Sequence, residues 1–180
     1  MSFGSAIFPS DPYRKAWPAE GEGGLVKQLY KAGQFLRGIR VQMRFGELTR
    51  APLRLLRLQM IDDVVECDWL ARSPDRWDAD LSRNVQQRHA SLQALRDAID
   101  VRALLFNLMP EIETAHLRAY RDGAGFTREM IITGSAQRND HNSREVHSLV
   151  MRAKVLGFRF DLEGDNLRNI SARQPARVGS

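Results

Sequence analysis

The fold of this chain is decided by the stretch LRLLRLQMIDDVVECDWLA, residues 53–71. Apolar and polar residues alternate on both sides of its centre, which is the pattern of half-buried β-strands. Asp62 and Asp63 fit a two-residue turn, because aspartate tolerates the backbone conformations that such turns need. The doublet Leu55 and Leu56 breaks the alternation and indicates a β-bulge. The stretch therefore predicts an antiparallel β-hairpin.

The residues before this hairpin predict a helix followed by one more strand. Four apolar residues recur at helical spacing and would share one side of a helix: Leu25, Leu29, Ala32 and Leu36. Four further apolar residues alternate with polar ones, as in a half-buried strand: Ile39, Val41, Met43 and Phe45. Residues 25–80 are therefore predicted to form a helix and a three-stranded antiparallel meander.

The residues after the hairpin predict a long helix, a second hairpin, a second helix and a last strand. Asp80 is a suitable N-cap for the long helix, and a shift of the apolar stripe indicates a bend at Asp100. We expect residues 81–164 to pack with residues 25–80 as one compact domain of the α+β class. Residues 165–180 are polar and are predicted to be a disordered tail.

The first 24 residues predict an arm and not a signal peptide. They contain three prolines and several acidic residues but no apolar run, so a cytoplasmic location is expected. Four large aromatic side chains set the arm apart from ordinary disordered segments, which are poor in aromatics: Phe3, Phe8, Tyr13 and Trp17. These side chains are candidate partner-binding residues, packing either on their own domain or on a neighbouring protein.

The net charge of +5 is unevenly distributed along the chain. Residues 1–60 contain ten Lys and Arg against four acids, whereas residues 61–135 contain nine against thirteen. The basic first third could bind nucleic acid or an anionic membrane surface, or it could pair with the chain's own acidic middle. The candidate anion-binding residues are Lys27, Lys31, Arg37, Arg40 and Arg44.

Patterns that would indicate an enzyme or a metalloprotein are missing from the sequence. Cys67 is the only cysteine, and its position between two acids in a predicted strand favours an inert core thiol. The four histidines have no metal-ligand spacing, and no nucleophile elbow or phosphate-binding glycine loop occurs. Cross-strand ion pairing accounts for Glu66 and Asp68 more simply than a cation site. We therefore expect no catalytic residues, metal or cofactor.

Residues 100–164 resemble the BON domain. Their predicted order is helix, strand, strand, helix, strand, with Ile-Thr-Gly-Ser-Ala at 132–136 and Gly157-Phe158 at the end of the second helix. In that family the second strand ends in a run like Leu-Thr-Gly-Thr-Val, and the last helix ends in Gly-Val. The resemblance implies a non-catalytic αββαβ module associated with membrane or partner attachment, in which Gly134 matches the family's glycine. Both helices should then lie on one face of the sheet.

Together these patterns predict a non-enzymatic protein-interaction or scaffolding subunit. Its expected contact surfaces are the aromatic arm and an exposed sheet edge, and its expected partner is another protein or a second copy of the chain. No segment is apolar enough to span a membrane. An anion-binding module for nucleic acid or anionic lipid is one alternative. An enzyme whose active site is assembled from dispersed residues is the other.

Overall fold

The described part of the protein contains three helices and seven strands. The structure is a computed structural model, and it describes residues 22–139 and 146–170. The helices are α1 (Glu22–Gln42), α2 (Arg83–Leu108) and α3 (Leu149–Val155). The strands are β1 (Arg54–Ile61), β2 (Val64–Leu70), β3 (Thr114–Asp122), β4 (Arg128–Gln137), β5 (Phe158–Arg159), β6 (Leu162–Glu163) and β7 (Asn166–Leu167).

Five strands form one mixed sheet in the order β1-β2-β3-β4-β5. All neighbours are antiparallel except β2 and β3, which are parallel and are connected through α2. This parallel pair joins the first hairpin to the helix–hairpin–helix–strand unit, so both share a single sheet. The predicted α+β class is confirmed.

The hairpin of residues 53–71 forms as predicted. Leu58 pairs with Cys67, and the register shifts between Leu55 and Arg57, where the leucine doublet indicated a bulge. Asp62 adopts a φ of 54°, the left-handed conformation that aspartate tolerates in turns.

The helices lie on one face of the sheet. α2 contacts β3, β4 and α3, and α3 also contacts β5. Ala153 and Leu156 of the α3 region belong to the same buried cluster as Leu117 and Ile132 of the sheet. The helix–hairpin–helix–strand order of residues 100–164 and the shared face of its two helices agree with the expectation from the sequence.

A buried polar network fastens the loop after α1 to α2. Arg72 Nε donates to Asp97 Oδ2 at 2.9 Å, and its guanidinium also donates to the carbonyl oxygen of Ala51 at 2.7 Å. Gln93 donates to Asp97 at 3.0 Å and accepts from the backbone N–H of Leu48 at 2.9 Å. Burial raises the pKa of Asp97, while Arg72 and Gln93 act in the opposite direction. The network fixes the path of the chain from α1 into β1.

The predicted strand over residues 39–45 is wrong, because α1 continues to Gln42. Ile39 and Met43 are buried, whereas Val41 and Phe45 are exposed, so the residues that pack are spaced by four and not by two. The helical spacing prevails because it continues from Phe35, which is fully buried. The predicted three-stranded meander is therefore a helix followed by a two-stranded hairpin.

Four expectations for the helices and the C-terminal region also need correction. The N-cap of α2 is Ser82 and not Asp80, because the Ser82 hydroxyl oxygen accepts from the backbone N–H of Val85. α2 runs without interruption through Asp100; its stripe shifts because it packs against elements on several sides. The last strand is divided into β5 and β6. Residues 165–170 are not part of a disordered tail, because β7 pairs with β6 and Leu167 is buried. The backbone N–H of Ile170 donates to Met130 at 2.8 Å, and residues 171–180 lie outside the described residues.

Candidate interaction surface on the first helix

α1 is attached to the rest of the protein through one side. Phe35, Ile39 and Met43 follow one another at intervals of four residues and are buried, and α1 contacts α2. The two helices approach closely at Gly38, where a Cβ atom would lie 3.0 Å from a methyl carbon of Leu104. The missing side chain at Gly38 therefore lets the helices pack together.

The rest of the surface of α1 is exposed and carries several apolar side chains. Val26, Leu29 and Tyr30 expose 65%, 64% and 66% of their surface, and Val41 exposes 71%. A contiguous exposed apolar patch on a protein commonly marks an interaction site, whereas single exposed apolar side chains are ordinary. We call this surface the outer face; it consists of Val26, Leu29, Tyr30, Leu36, Val41 and, just beyond the helix, Phe45.

The charged residues on the outer face are basic. Lys27, Arg37 and Arg40 are exposed, and α1 contains no acidic residue after Glu22. Arg44 extends this charge beyond the helix, where its guanidinium carbon lies 5.1 Å from the ring centroid of Phe45. Four of the five predicted anion-binding residues are therefore solvent-exposed and close to apolar side chains.

The remaining predicted residues are placed differently. Lys31 forms an ion pair with Glu111, so its charge is used within the protein. A cross-strand ion pair, the kind predicted for Glu66, joins this carboxylate to Arg57 at 3.1 Å. The aromatic arm residues Phe3, Phe8, Tyr13 and Trp17 lie outside the described residues.

Sequence reasoning assigned the wrong side of α1 to the core. Leu29 and Leu36 were expected to be covered, but they belong to the outer face. The residue that anchors the helix is Phe35. The available signal was the spacing of four that links Phe35, Ile39 and Met43, which competes with the alternating pattern over the same residues.

A second feature is a cavity of about 870 Å³ at the carboxyl ends of β2 and β3. The described lining includes Ser73, Ser91, Asp122 and Glu163 but no His, Lys or Cys. The Ser91 hydroxyl oxygen accepts a hydrogen bond from the backbone N–H of Leu167, and no imidazole or amine of the described lining is present to activate a serine. Its exposed guanidinium groups are already neutralised by carboxylates. The pairs are Arg54 with Asp122, Arg121 with Glu129, and Arg168 with Glu163.

The lone cysteine is a core residue. Cys67 has no exposed surface, and burial, together with the neighbouring charge of Asp68, raises the pKa of its thiol. A thiol held in its neutral form is a poor nucleophile. The predicted core position of Cys67 is confirmed.

Comparison of the chain with protein-family models, with curated protein sequences and with solved protein structures gave no significant match. The resemblance of residues 100–164 to the BON domain therefore stays a prediction. Of the helices in the described ranges, none combines the length and the apolar character needed to cross a membrane.

Proposed function

We propose that this protein is a non-enzymatic interaction module, and that the outer face of α1 binds an acidic amphipathic segment of a partner protein. The observation that carries the proposal is that the outer face combines exposed apolar side chains with charged side chains that are all basic. Apolar contact supplies affinity in such an interface, and complementary charge supplies orientation and selectivity. The aromatic arm, which precedes α1 in the chain, is a second contact in this proposal.

The arrangement of charges favours an acidic protein over an anionic membrane. Arg37 lies four residues before Val41, and Arg40 lies four residues after Leu36, so both guanidinium groups are within the outer face. Helices that lie in a membrane surface keep their charged and apolar residues on separate sides. Acidic side chains of a protein partner can instead pair with each guanidinium group where it stands.

Nucleic acid fits this surface less well for a related reason. Single-stranded nucleic acid is bound by stacking successive bases on aromatic rings along a basic groove. The outer face offers Tyr30 and Phe45, which are far apart in sequence, and otherwise aliphatic side chains.

We also place the module in the cytoplasm. Its one cysteine is a buried free thiol, so the fold does not depend on a disulfide within the chain.

Binding of synthetic peptides to the full chain tests the proposal. The probe is a labelled peptide of about 20 residues with Leu and Glu at helical spacing, and its control is a peptide of the same composition in scrambled order. We expect saturable binding of the amphipathic peptide in fluorescence anisotropy. Leu29→Asp and Arg37→Glu should each weaken binding at least about tenfold, which corresponds to about 1.4 kcal/mol.

Matched variants elsewhere on the protein distinguish binding at the outer face from nonspecific binding. Trp77→Asp changes a side chain that is 85% exposed in the segment between β2 and α2. Arg83→Glu reverses an exposed charge at the start of α2, and neither variant should alter binding. Tighter binding to phosphatidylserine vesicles or to duplex DNA than to the peptide would overturn the choice of partner. A dimeric mass in light scattering that Leu29→Asp converts to a monomer would also overturn it, in favour of a second copy.

A further inference from the structure

The face of the sheet opposite the helices is polar, and its side chains form a row across all five strands. Arg57 is paired with Asp68, and Asp68 with Arg118. Arg118 is paired in turn with Thr133, and Thr133 with Arg159. Residues directly opposite each other on neighbouring strands have Cβ atoms only about 4.5–5.5 Å apart. One continuous line of charged and hydroxyl groups therefore crosses this face.

Charge is balanced at the β1 end of this row. Arg118 donates to Asp68 and to Glu66, at 2.7 Å each, and Arg57 lies 3.1 Å from Glu66. The hydrogen bond to Asp68, together with the one to Glu66, raises the pKa of the Arg118 guanidinium. The two guanidinium groups and the two carboxylates of this cluster therefore neutralise one another.

Charge is not balanced at the β5 end. Within residues 22–139 and 146–170, Arg159 and Lys154 form no ion pair. The ammonium group of Lys154 lies 5.8 Å from the ring centroid of Phe160, and both cations are exposed. Among the described residues, neither cation has a carboxylate partner, and both line the same groove at one edge of the sheet.

The two cations line a groove of about 530 Å³. Its wall also contains Thr133 and Ser135 with their hydroxyl groups, His116, and the ion pair of Glu66 with Arg118. The position of β5 is fixed by the contact of Phe158 with Gly134, where a Cβ atom would lie 2.7 Å from the phenylalanine ring. This packing holds β5 against β4 and so sets Arg159 beside Thr133.

We propose that this groove binds the phosphate group of a small phosphate monoester. Its cations favour an anion, and its guanidinium, ammonium and hydroxyl donors come from two strands and one helix. A tetrahedral phosphate accepts hydrogen bonds from several directions, whereas a planar carboxylate is satisfied by one guanidinium fork. The site is separate from the outer face of α1 and does not depend on the proposed function.

Titration of the full chain with phosphoserine, inorganic phosphate and acetate, followed by amide NMR shifts at low ionic strength, tests the site. We expect saturable shifts at Thr133, Ser135 and Arg159 with phosphoserine and phosphate, and much weaker binding of acetate. Lys154→Ala with Arg159→Ala should weaken phosphate binding at least about tenfold, and Glu66→Gln should tighten it by removing a carboxylate from the wall.

Arg83→Ala is the matched control, since Arg83 is exposed and does not line the groove, and it should leave binding unchanged. Thermal melts of all variants show whether they remain folded, which is expected because Lys154 and Arg159 are exposed. Equal phosphate affinity in the wild type and the double variant would overturn the proposal. Equal affinity for acetate and phosphate, or shifts that never saturate, would overturn it as well.

Discussion

The two long helices, α1 and α2, differ in how much of their surface the fold covers. α2 has 26 residues, of which ten are buried, and it contacts α1, α3, β3, β4 and β7. α1 has 21 residues. Of those whose side chains are described, Phe35 and Ile39 are buried. Both helices are rich in apolar residues, yet only α2 buries them on several sides.

This difference separates residues that stabilise the fold from residues that are available for binding. An apolar side chain contributes to folding only when it leaves water. On α1 this holds for the side that faces α2, while no other described residue covers the outer face. The two helices should therefore respond very differently to substitutions of the same kind.

The largest loss of stability is expected from the buried ion pair on α2. Asp97→Ala leaves the Arg72 guanidinium buried without its carboxylate, which typically costs about 3–5 kcal/mol. The free energy of unfolding from urea titration measures this loss. The double variant Arg72→Leu with Asp97→Leu is the control and should recover much of it, because no charge is then buried. Equal losses in both variants would show that the geometry of the network, and not the unpaired charge, matters.

A matched pair on α1 compares its two sides directly. Ile39→Ala removes a buried side chain and should lower the free energy of unfolding by about 2–5 kcal/mol. Leu29→Ala is the same kind of truncation on the outer face and should change it by no more than about 0.5 kcal/mol. Both variants gain a similar helix propensity, so the difference between them reports burial.

A large loss in Leu29→Ala would contradict the description of the outer face as exposed. It would mean that the free protein already covers this surface, either with its own arm or with a second copy. Repeating the measurement at several protein concentrations distinguishes these two cases, because only self-association depends on concentration.

How much of this fold the sequence could predict depends on how local the deciding contacts are. The hairpin around Asp62 was predictable because its alternation, its bulge and its turn all lie within residues 53–71. Residues 39–45 were not, because Ile39 and Met43 fit both an alternating strand and a helix with a spacing of four. The contact of α1 with Leu104 decides between them, and that residue lies far along the chain.

The two candidate sites were harder to predict than the fold. The outer face contains leucines that any helical pattern would assign to the core, and only the packing of Phe35 shows which side is covered. The phosphate groove depends on the register that places Arg159 opposite Thr133. No spacing within the sequence contains that information, because the two residues belong to strands that are separated by α3.

The smallest effect, and the finest test of the comparison, comes from two glycines of α1. A Cβ atom at Gly33 would meet no neighbouring atom of the described residues within 4 Å. A Cβ atom at Gly38 would lie 3.0 Å and 3.1 Å from methyl carbons of Leu104 and Leu108. Replacing glycine with alanine inside a helix typically stabilises it by about 0.5–1 kcal/mol. Gly33→Ala should show this gain in urea unfolding. Gly38→Ala should show less or a loss, because the leucine methyl groups must move.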